Sequence, residues 1–300
     1  MRGAVCAGLG SWCDNRRVAS IEEILAVERI DNDIYRGGSF PSQLRRTFGG
    51  QVAGQALVAA TRTVDREFAV HSLHGYFLRP GRPDEPAVFM VDRIRDGRSF
   101  VTRRVTGVQD GEAIFSMSAS FHVTHDEGIE HQDRMPEVPD PESLPGRESA
   151  DDSQRALLEE WANFDIRIVG QAETSRYPGL AAQQRVWFKY RLPLPDDHLL
   201  HVCTLAYMSD MTLLGSSMTV HPGAKAQTAS LDHAMWFLRP FRADDWLLYD
   251  QTSPSAGGGR ALTQGRIFDR SGRMVAAVTQ EGLTRSVATD SAASIMRQDR

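Results

Sequence analysis

Lysine is almost missing from this chain: Lys189 and Lys225 are the only two among 34 basic residues in 300. Arginine supplies the rest, a bias that a GC-rich genome explains, because arginine codons are GC-rich and lysine codons are not. Cysteine is sparse as well. Cys6, Cys13 and Cys203 are odd in number, widely spaced and without a C-x-x-C pair, which argues against a disulfide framework or a zinc site and fits a reducing, cytoplasmic compartment. There is no basic excess. A net charge of −5 offers no broad cationic face to nucleic acid or an anionic membrane, although a local arginine cluster can still meet a phosphate-bearing ligand. No run approaches the ~18 to 20 apolar residues that span a bilayer, and the opening Met1 to Gly10 is too glycine-broken for a secretory signal. The final Gln298-Asp-Arg300 is not a peroxisomal address. No Gly-x-Ser-x-Gly occurs, and no Gly-Lys-Ser/Thr follows the glycine run at Ala256 to Arg260. A serine hydrolase of the α/β type and a P-loop are thereby disfavoured, and the glycines read as a hairpin loop.

What is present is 41% hydrophobic and 24% charged, the balance of a folded protein large enough for two fused cores. The most informative feature is one cassette that occurs twice, about 160 residues apart. The first copy reads Phe48-Gly-Gly-Gln51 opening an apolar helix, a strand ending Phe77-Leu-Arg-Pro80, then Glu112 to Ala119. The second reads Tyr207-Met-Ser-Asp210 opening an apolar helix, a strand ending Phe237-Leu-Arg-Pro240, then Arg273 to Gln280. Superposing the two Phe-Leu-Arg-Pro strings, with one residue of slack, sets Asp210 opposite Gln51, Ser230 opposite Val70 and Gln280 opposite Ala119. Only the second copy is polarised, so one active site per chain is expected.

Local patterns fill in the plan. Ser20 caps a short helix over Ala19 to Val27, with Glu22 and Glu23 in its first turn. The helix from Phe48 is apolar nearly all round and should be buried, with Gly49, Gly50 and Gly54 allowing close approach. Strands follow at 69–78, 87–95, 99–108 and 113–123, with Asp-Gly turns at Arg95 to Arg98 and Gln109 to Glu112. One buried helix wrapped by an antiparallel sheet is an α+β hot dog layout. The second half repeats it, with strands near 164–169 and 185–190 before the Asp210 helix and at 227–238, 246–252, 260–268 and 274–283 after it. The expected organisation is a disordered extension over 1–17, the native start lying near Val18; an N-terminal hot dog over 18–124; and a polar, proline-rich linker over 125–158. A C-terminal hot dog over 159–285 and a disordered tail over 286–300 complete it.

Asp210 at a helix start would be held ionised by backbone N–H groups and the helix dipole. Gln280 has no useful pKa and Ser230 no basic neighbour, so each can only orient a partner. Together the three would position a water whose proton passes to Asp210, and the target must be an electrophile with a good leaving group, such as a thioester. His71 and His74 lie three apart on one strand and face opposite sides, as do His122 and His125, so neither pair chelates a metal. His198 and His201 read as loop residues without acidic or cysteine companions. No metal and no cofactor are expected, and His71 is the fallback catalytic residue.

Arg45-Arg-Thr-Phe-Gly-Gly-Gln-Val-Ala-Gly-Gln-Ala, Val70-His-Ser-Leu-His-Gly-Tyr-Phe-Leu-Arg-Pro-Gly81, Leu231-Asp-His-Ala-Met-Trp-Phe-Leu-Arg-Pro and Thr279-Gln-Glu-Gly-Leu resemble the type II acyl-CoA thioesterase family, the TesB-like double hot dog enzymes. The resemblance runs from about Ile21 to Arg285, its motifs in the same order. It implies hydrolysis of fatty acyl-CoA to free acid and CoA by direct attack of a water bound by an Asp, a Ser or Thr and a Gln, which fall on Asp210, Ser230 and Gln280. Leu238 stands where family members often carry His. The acyl chain would enter an apolar channel between the halves, with Gly50 and Gln51 or the Asp210 end as oxyanion donors, and the chain would form a homo-oligomer, dimer or tetramer. A double hot dog enoyl-CoA hydratase needs Asp and His on one helix, and no His follows Asp210 before His221. A non-enzymatic acyl-CoA-binding or scaffold protein is the remaining alternative, and the retained trio speaks against it.

Overall fold

The computed structural model describes residues 18–42, 44–124, 127–149, 158–174 and 176–287. The extension expected over 1–17 and the tail beyond 287 lie outside the described residues. Ser20 caps helix α1 (Ile21–Leu25) through a reciprocal capping box with Glu23. Strands β1 (Val27–Asp31) and β2 (Ile34–Gly37) follow as an antiparallel pair. The sequence pattern did not predict them. Four of the five β1 side chains are exposed, and a strand wet on both faces leaves no alternating apolar signal.

The first repeat then runs through α2 (Gly49–Thr61), β3 (Phe68–Phe77), β4 (Val88–Asp96), β5 (Phe100–Gln109) and β6 (Glu112–Val123). Each strand lies within a residue or two of its expected span. At the β5–β6 turn Asp110 and Gly111 both take positive φ, 49° and 76°, as a two-residue turn of the primed type requires. The second repeat comprises β7 (Phe164–Ile168), β8 (Ala182–Tyr190), α3 (His198–Met208), β9 (Ala226–Ser230), β10 (Asp232–Phe237), β11 (Leu247–Gly257), β12 (Arg260–Asp269) and β13 (Met274–Ser286). The glycine run is the β11–β12 hairpin, with Gly258 and Gly259 at positive φ. Ser286, assigned from its polarity to the tail, instead pairs with Ala226.

The thirteen strands of the described residues form one antiparallel sheet ordered β1-β2-β4-β5-β6-β3-β10-β13-β12-β11-β8-β7, with β9 also on β13. The order is a palindrome of the repeat, its centre the β3–β10 pair in which Gly75 opposes His233 and Ser72 opposes Trp236. Both helices lie against one face of this sheet and against each other. A Cβ on Gly50 would come 2.2 Å from the Tyr207 carbonyl, and one on Gly54 2.7 Å from Leu25 of α1 and 3.4 Å from the Cys203 carbonyl of α3, so glycine is what lets α2 approach α1 and α3 this closely.

One helix is not where the repeat offset puts it. The offset predicts a helix opening at Tyr207, but α3 ends at Met208. His198 and His201 accordingly lie on α3 rather than in a loop. The span 127–149 also differs from a loose tether. Met135, Val138 and Leu144 pack with Trp187, Leu248 and Phe268, on the sheet face opposite Tyr249 by strand alternation. Trp187 Nε1 donates to the Pro139 carbonyl at 3.0 Å, and Arg266 bonds Asp133 at 2.8 Å.

Candidate active site

Asp210 stands in a turn just beyond the C-terminal end of α3, between the cap residue Ser209 and a short 3-10 helix at Leu214–Met218. Its own helix therefore turns its negative pole toward the carboxylate, opposite to the expectation from sequence. The stabilising donor comes from elsewhere. The start of α2 meets the end of α3, and the Gly50 backbone amide faces the Asp210 carboxylate and favours its charge. Helix support is thus supplied by the other repeat. Gly49 makes the approach sterically feasible, since a Cβ there would lie 2.6 Å from Asp210 Oδ2 and 2.9 Å from the Phe77 ring.

Ser230 and Gln280 converge on the same carboxylate. Ser230 Oγ donates to Asp210 Oδ1 at 3.1 Å, and Gln280 Nε2 donates to Oδ1 at 2.6 Å and to Ser230 Oγ at 2.8 Å. One oxygen of Asp210 thus receives two side-chain donors. Gln280 is fully buried on the helix-facing side of β13. Ser230 reaches the site because its strand breaks at Leu231, between β9 and β10. One repeat earlier, β3 carries a bulge between Val70 and Ser72 at the matching place. Backbone and side-chain bonds hold the break, Leu231 N–H to the Glu281 carbonyl at 2.9 Å and Glu281 N–H to Asp232 Oδ1 at 2.7 Å.

Burial pushes the Asp210 pKa up from 3.8 to about 6, and the bonds from Gln280, Ser230 and Gly50 pull the other way. A carboxylate with that pKa is ionised at neutral pH and basic enough to take a proton from water. Ser230 Oγ donates its one proton to Asp210 and accepts from Gln280, so both partners fix its orientation. Gln280 Oε1 is buried with no hydrogen-bond partner among the described residues, which leaves an acceptor for a further donor at the site.

Of the remaining sequence candidates, Gly50 lies at the site and His71 does not. The Gly50 amide faces Asp210, and the Gln51 N–H bonds the Phe48 carbonyl at 3.1 Å. His71 bonds Ser120 Oγ at 2.9 Å and packs edge-on to Phe100, and burial lowers its pKa. The site lies by Phe77, whose N–H bonds the Leu231 carbonyl, and the strand from His71 to Phe77 spans about 20 Å at ~3.3 Å per residue. His201 Nδ1 accepts from the Ala243 N–H at 3.1 Å. Among the described residues no group of three or more His, Cys, Asp or Glu is placed to hold a metal ion, and no helix is long and apolar enough to cross a membrane.

Sequence reasoning passed over Ser209 and His233. The two are in contact, Ser209 Oγ to His233 Nε2 at 2.8 Å, directly beside Asp210. The available signal was parity. His233 shares the inward face of β10 with Met235, and a histidine on a buried apolar face needs a partner.

Two family models divide the chain between them. Residues 37–122 match the acyl-CoA thioesterase N-terminal domain, and residues 161–283 match the acyl-CoA thioesterase model. The chain belongs to the acyl-CoA thioesterase family. Among its relatives, acyl-coenzyme A thioesterase 8 of Mus musculus is 38% identical over 93% of each chain. Acyl-CoA thioesterase 2 of Haemophilus influenzae is 36% identical, covering 87% of this chain and 96% of its own. The crystal structure of the acyl-CoA thioesterase II TesB2 of Mycobacterium marinum superposes with a TM-score of 0.81 at 58% identity, over 90% of this chain and 99% of that one. At 19% identity and a TM-score of 0.75, a hot dog protein of Alicyclobacillus acidocaldarius shares the fold. The α+β double hot dog expected from the repeat is the fold of this thioesterase family member.

Proposed function

We propose that the chain hydrolyses acyl-CoA thioesters by direct attack of a water held by Asp210, Ser230 and Gln280. The observation that carries this reading is the shared bond set at one carboxylate oxygen, with Gln280 Nε2 bridging Asp210 and Ser230. Asp210 takes a proton from the water, the water oxygen attacks the thioester carbonyl carbon, and the carbon–sulfur bond breaks. The departing CoA thiolate needs little acid assistance, since thiols ionise near pH ~8.5, and the proton on Asp210 returns to it or to solvent. Gln280 fixes the face that Asp210 presents, and the Phe77 ring beside Gly49 supplies an apolar flank where the acyl group enters.

In this reading the C-terminal repeat, 159–285, carries the catalytic side chains. The N-terminal repeat, 18–124, contributes the start of α2, and 125–158 joins the two. The enzyme works as a dimer or tetramer in the cytoplasm, without metal or cofactor.

The test is free-thiol release from acyl-CoAs of short to long chain, with wild type beside Asp210→Asn and Gln280→Ala. Turnover by wild type, lost by at least about 100-fold in Asp210→Asn, is the expected result. Binding without thiol release by wild type would leave an acyl-CoA-binding protein and make the trio structural.

A further inference from the structure

We propose that His233 and Tyr249 are positioning residues: acting through Ser209, they fix the backbone that aims the Asp210 carboxylate at Gln280 and Ser230. This rests on Asp210 being the base.

A carboxylate one residue beyond a helix end has left the repeating hydrogen-bond ladder, so its direction depends on what holds the cap. Here the cap residue is held at every polar atom. Ser209 N–H bonds the Leu205 carbonyl at 2.9 Å, Ser209 Oγ donates to the Ala206 carbonyl at 2.9 Å, and Tyr249 Oη donates to the Ser209 carbonyl at 3.1 Å. The Ala206 carbonyl and Met235 Sδ, at 2.9 and 3.2 Å, can only accept, so the one hydroxyl proton is directed to that side. The 2.8 Å contact with His233 is then a donation from His233 Nε2–H to Ser209 Oγ.

His233 is set to do this by its strand. It opposes Gly75 on β3, and since Ala234 pairs with Thr279 the next position inward sets His233 beside Gln280 on the same face. A single side chain therefore touches the cap of Asp210 while its backbone neighbours the strand of Gln280. Tyr249 reaches Ser209 only because residue 265 is glycine; a Cβ there would lie 2.2 Å from the tyrosine ring. His233, Ser209 and Tyr249 are all essentially fully buried.

A filler role explains this poorly. His233 Nδ1 is buried without a hydrogen-bond partner among the described residues, and an unpaired buried polar atom destabilises a core. Leucine would fill the space without that penalty. A group that lowers stability and is kept beside the base points to a positional requirement.

The experiment compares His233→Leu, His233→Gln, Tyr249→Phe and Asp210→Asn in the full chain, reading kcat and KM by thiol release and melting temperature in parallel. Glutamine places an amide N–H near the position of the imidazole Nε2–H and is the conservative rescue. The expected result for His233→Leu is a kcat about 30- to 100-fold lower, the loss produced by a misplacement of about 1 Å. Its KM stays within about threefold and its melting temperature is equal or higher, while His233→Gln returns kcat to within about fivefold of wild type and Tyr249→Phe loses about tenfold. A folded His233→Leu with wild-type kcat, a change in KM alone, or a glutamine variant no better than leucine overturns the proposal. Should His233→Leu not fold, Tyr249→Phe decides: lowered kcat at unchanged KM supports positioning, and unchanged kcat overturns it. Wild-type activity in Asp210→Asn would remove the base assignment itself, whereas an inactive Asp210→Asn beside an unaffected His233→Leu removes only the positioning role.

Discussion

Gln280 donates its side-chain amide to Asp210 at 2.6 Å while its own amide oxygen stays buried and unpaired. The nitrogen end is committed to the carboxylate, and the oxygen end is left to accept from a further donor. Reversing the chemistry of this one side chain is therefore informative. Gln280→Glu, nearly isosteric, sets a second carboxylate against Asp210, and two like charges at that distance cannot both ionise readily. The acid limb of the pH–rate profile should move up by at least about one pH unit, with kcat lowered even on the plateau. An unmoved limb would mean that Gln280 does not touch the titrating base.

For the wild type the sign is set by the base being active only when ionised. With burial lifting Asp210 to about 6, kcat/KM should rise tenfold per pH unit below that value and level off above it. Steady-state rates from pH 4.5 to 8.5 would show it. A limb near the unperturbed carboxylate value would contradict the burial of the charge.

The same shift carries a stability consequence. The folded pKa lies above the unfolded value, so between 3.8 and about 6 the native chain keeps a proton that the unfolded chain has released. Stability contributed by protonated Asp210 is present at low pH and is lost as pH rises through that window. The loss is on the order of 3 kcal/mol. Asp210→Asn lacks this titration. Urea denaturation of both proteins at pH 4 and pH 8 should show the difference in stability moving toward the variant by roughly that amount as pH rises.

Gly49→Ala probes the approach of α2 to the base. Alanine favours the helix by about 0.5 to 1 kcal/mol over glycine, yet its Cβ would lie 2.6 Å from Asp210 Oδ2, so the carboxylate must turn. The expected variant is folded and about 10- to 100-fold slower. Full activity would show that the carboxylate has slack in that direction.

Buried Arg185 and half-buried Arg266 share Asp250, at 3.0 and 2.5 Å, beneath the strap that Asp133 ties to Arg266. Asp250→Ala removes the buried carboxylate that the buried Arg185 guanidinium bonds. Breaking a buried pair in this way destabilises by about 3 to 5 kcal/mol, which chemical denaturation would register as a lower midpoint at a similar slope.

Strand alternation, Asp-Gly turns and the repeated Phe-Leu-Arg-Pro string were sufficient to read the antiparallel sheet and the duplication from the chain itself. Those signals are local, and a period of two survives wherever one face of a strand is buried. Position 280 was singled out by comparing the two copies, where it stands opposite Ala119. The helices were harder. From His198 to Leu214 the residues are apolar nearly all round, and a helix buried on every side has no polar stripe to mark where it begins or ends. The repeat offset then suggested a start where the chain in fact stops being helical.

The sequence by itself determined that the second repeat, and not the first, places a carboxylate, a hydroxyl and an amide at matching positions, because that follows from comparing the copies. Only the tertiary structure decided what supports the carboxylate. The Gly50 amide that faces Asp210 belongs to the helix of the other repeat, and His233, bonded to the neighbouring Ser209, lies on a strand 24 positions beyond that serine. Hydrogen bonds of that kind depend on how two packed helices and a broken strand are brought together, and no local periodicity encodes a contact between segments so far apart in the chain.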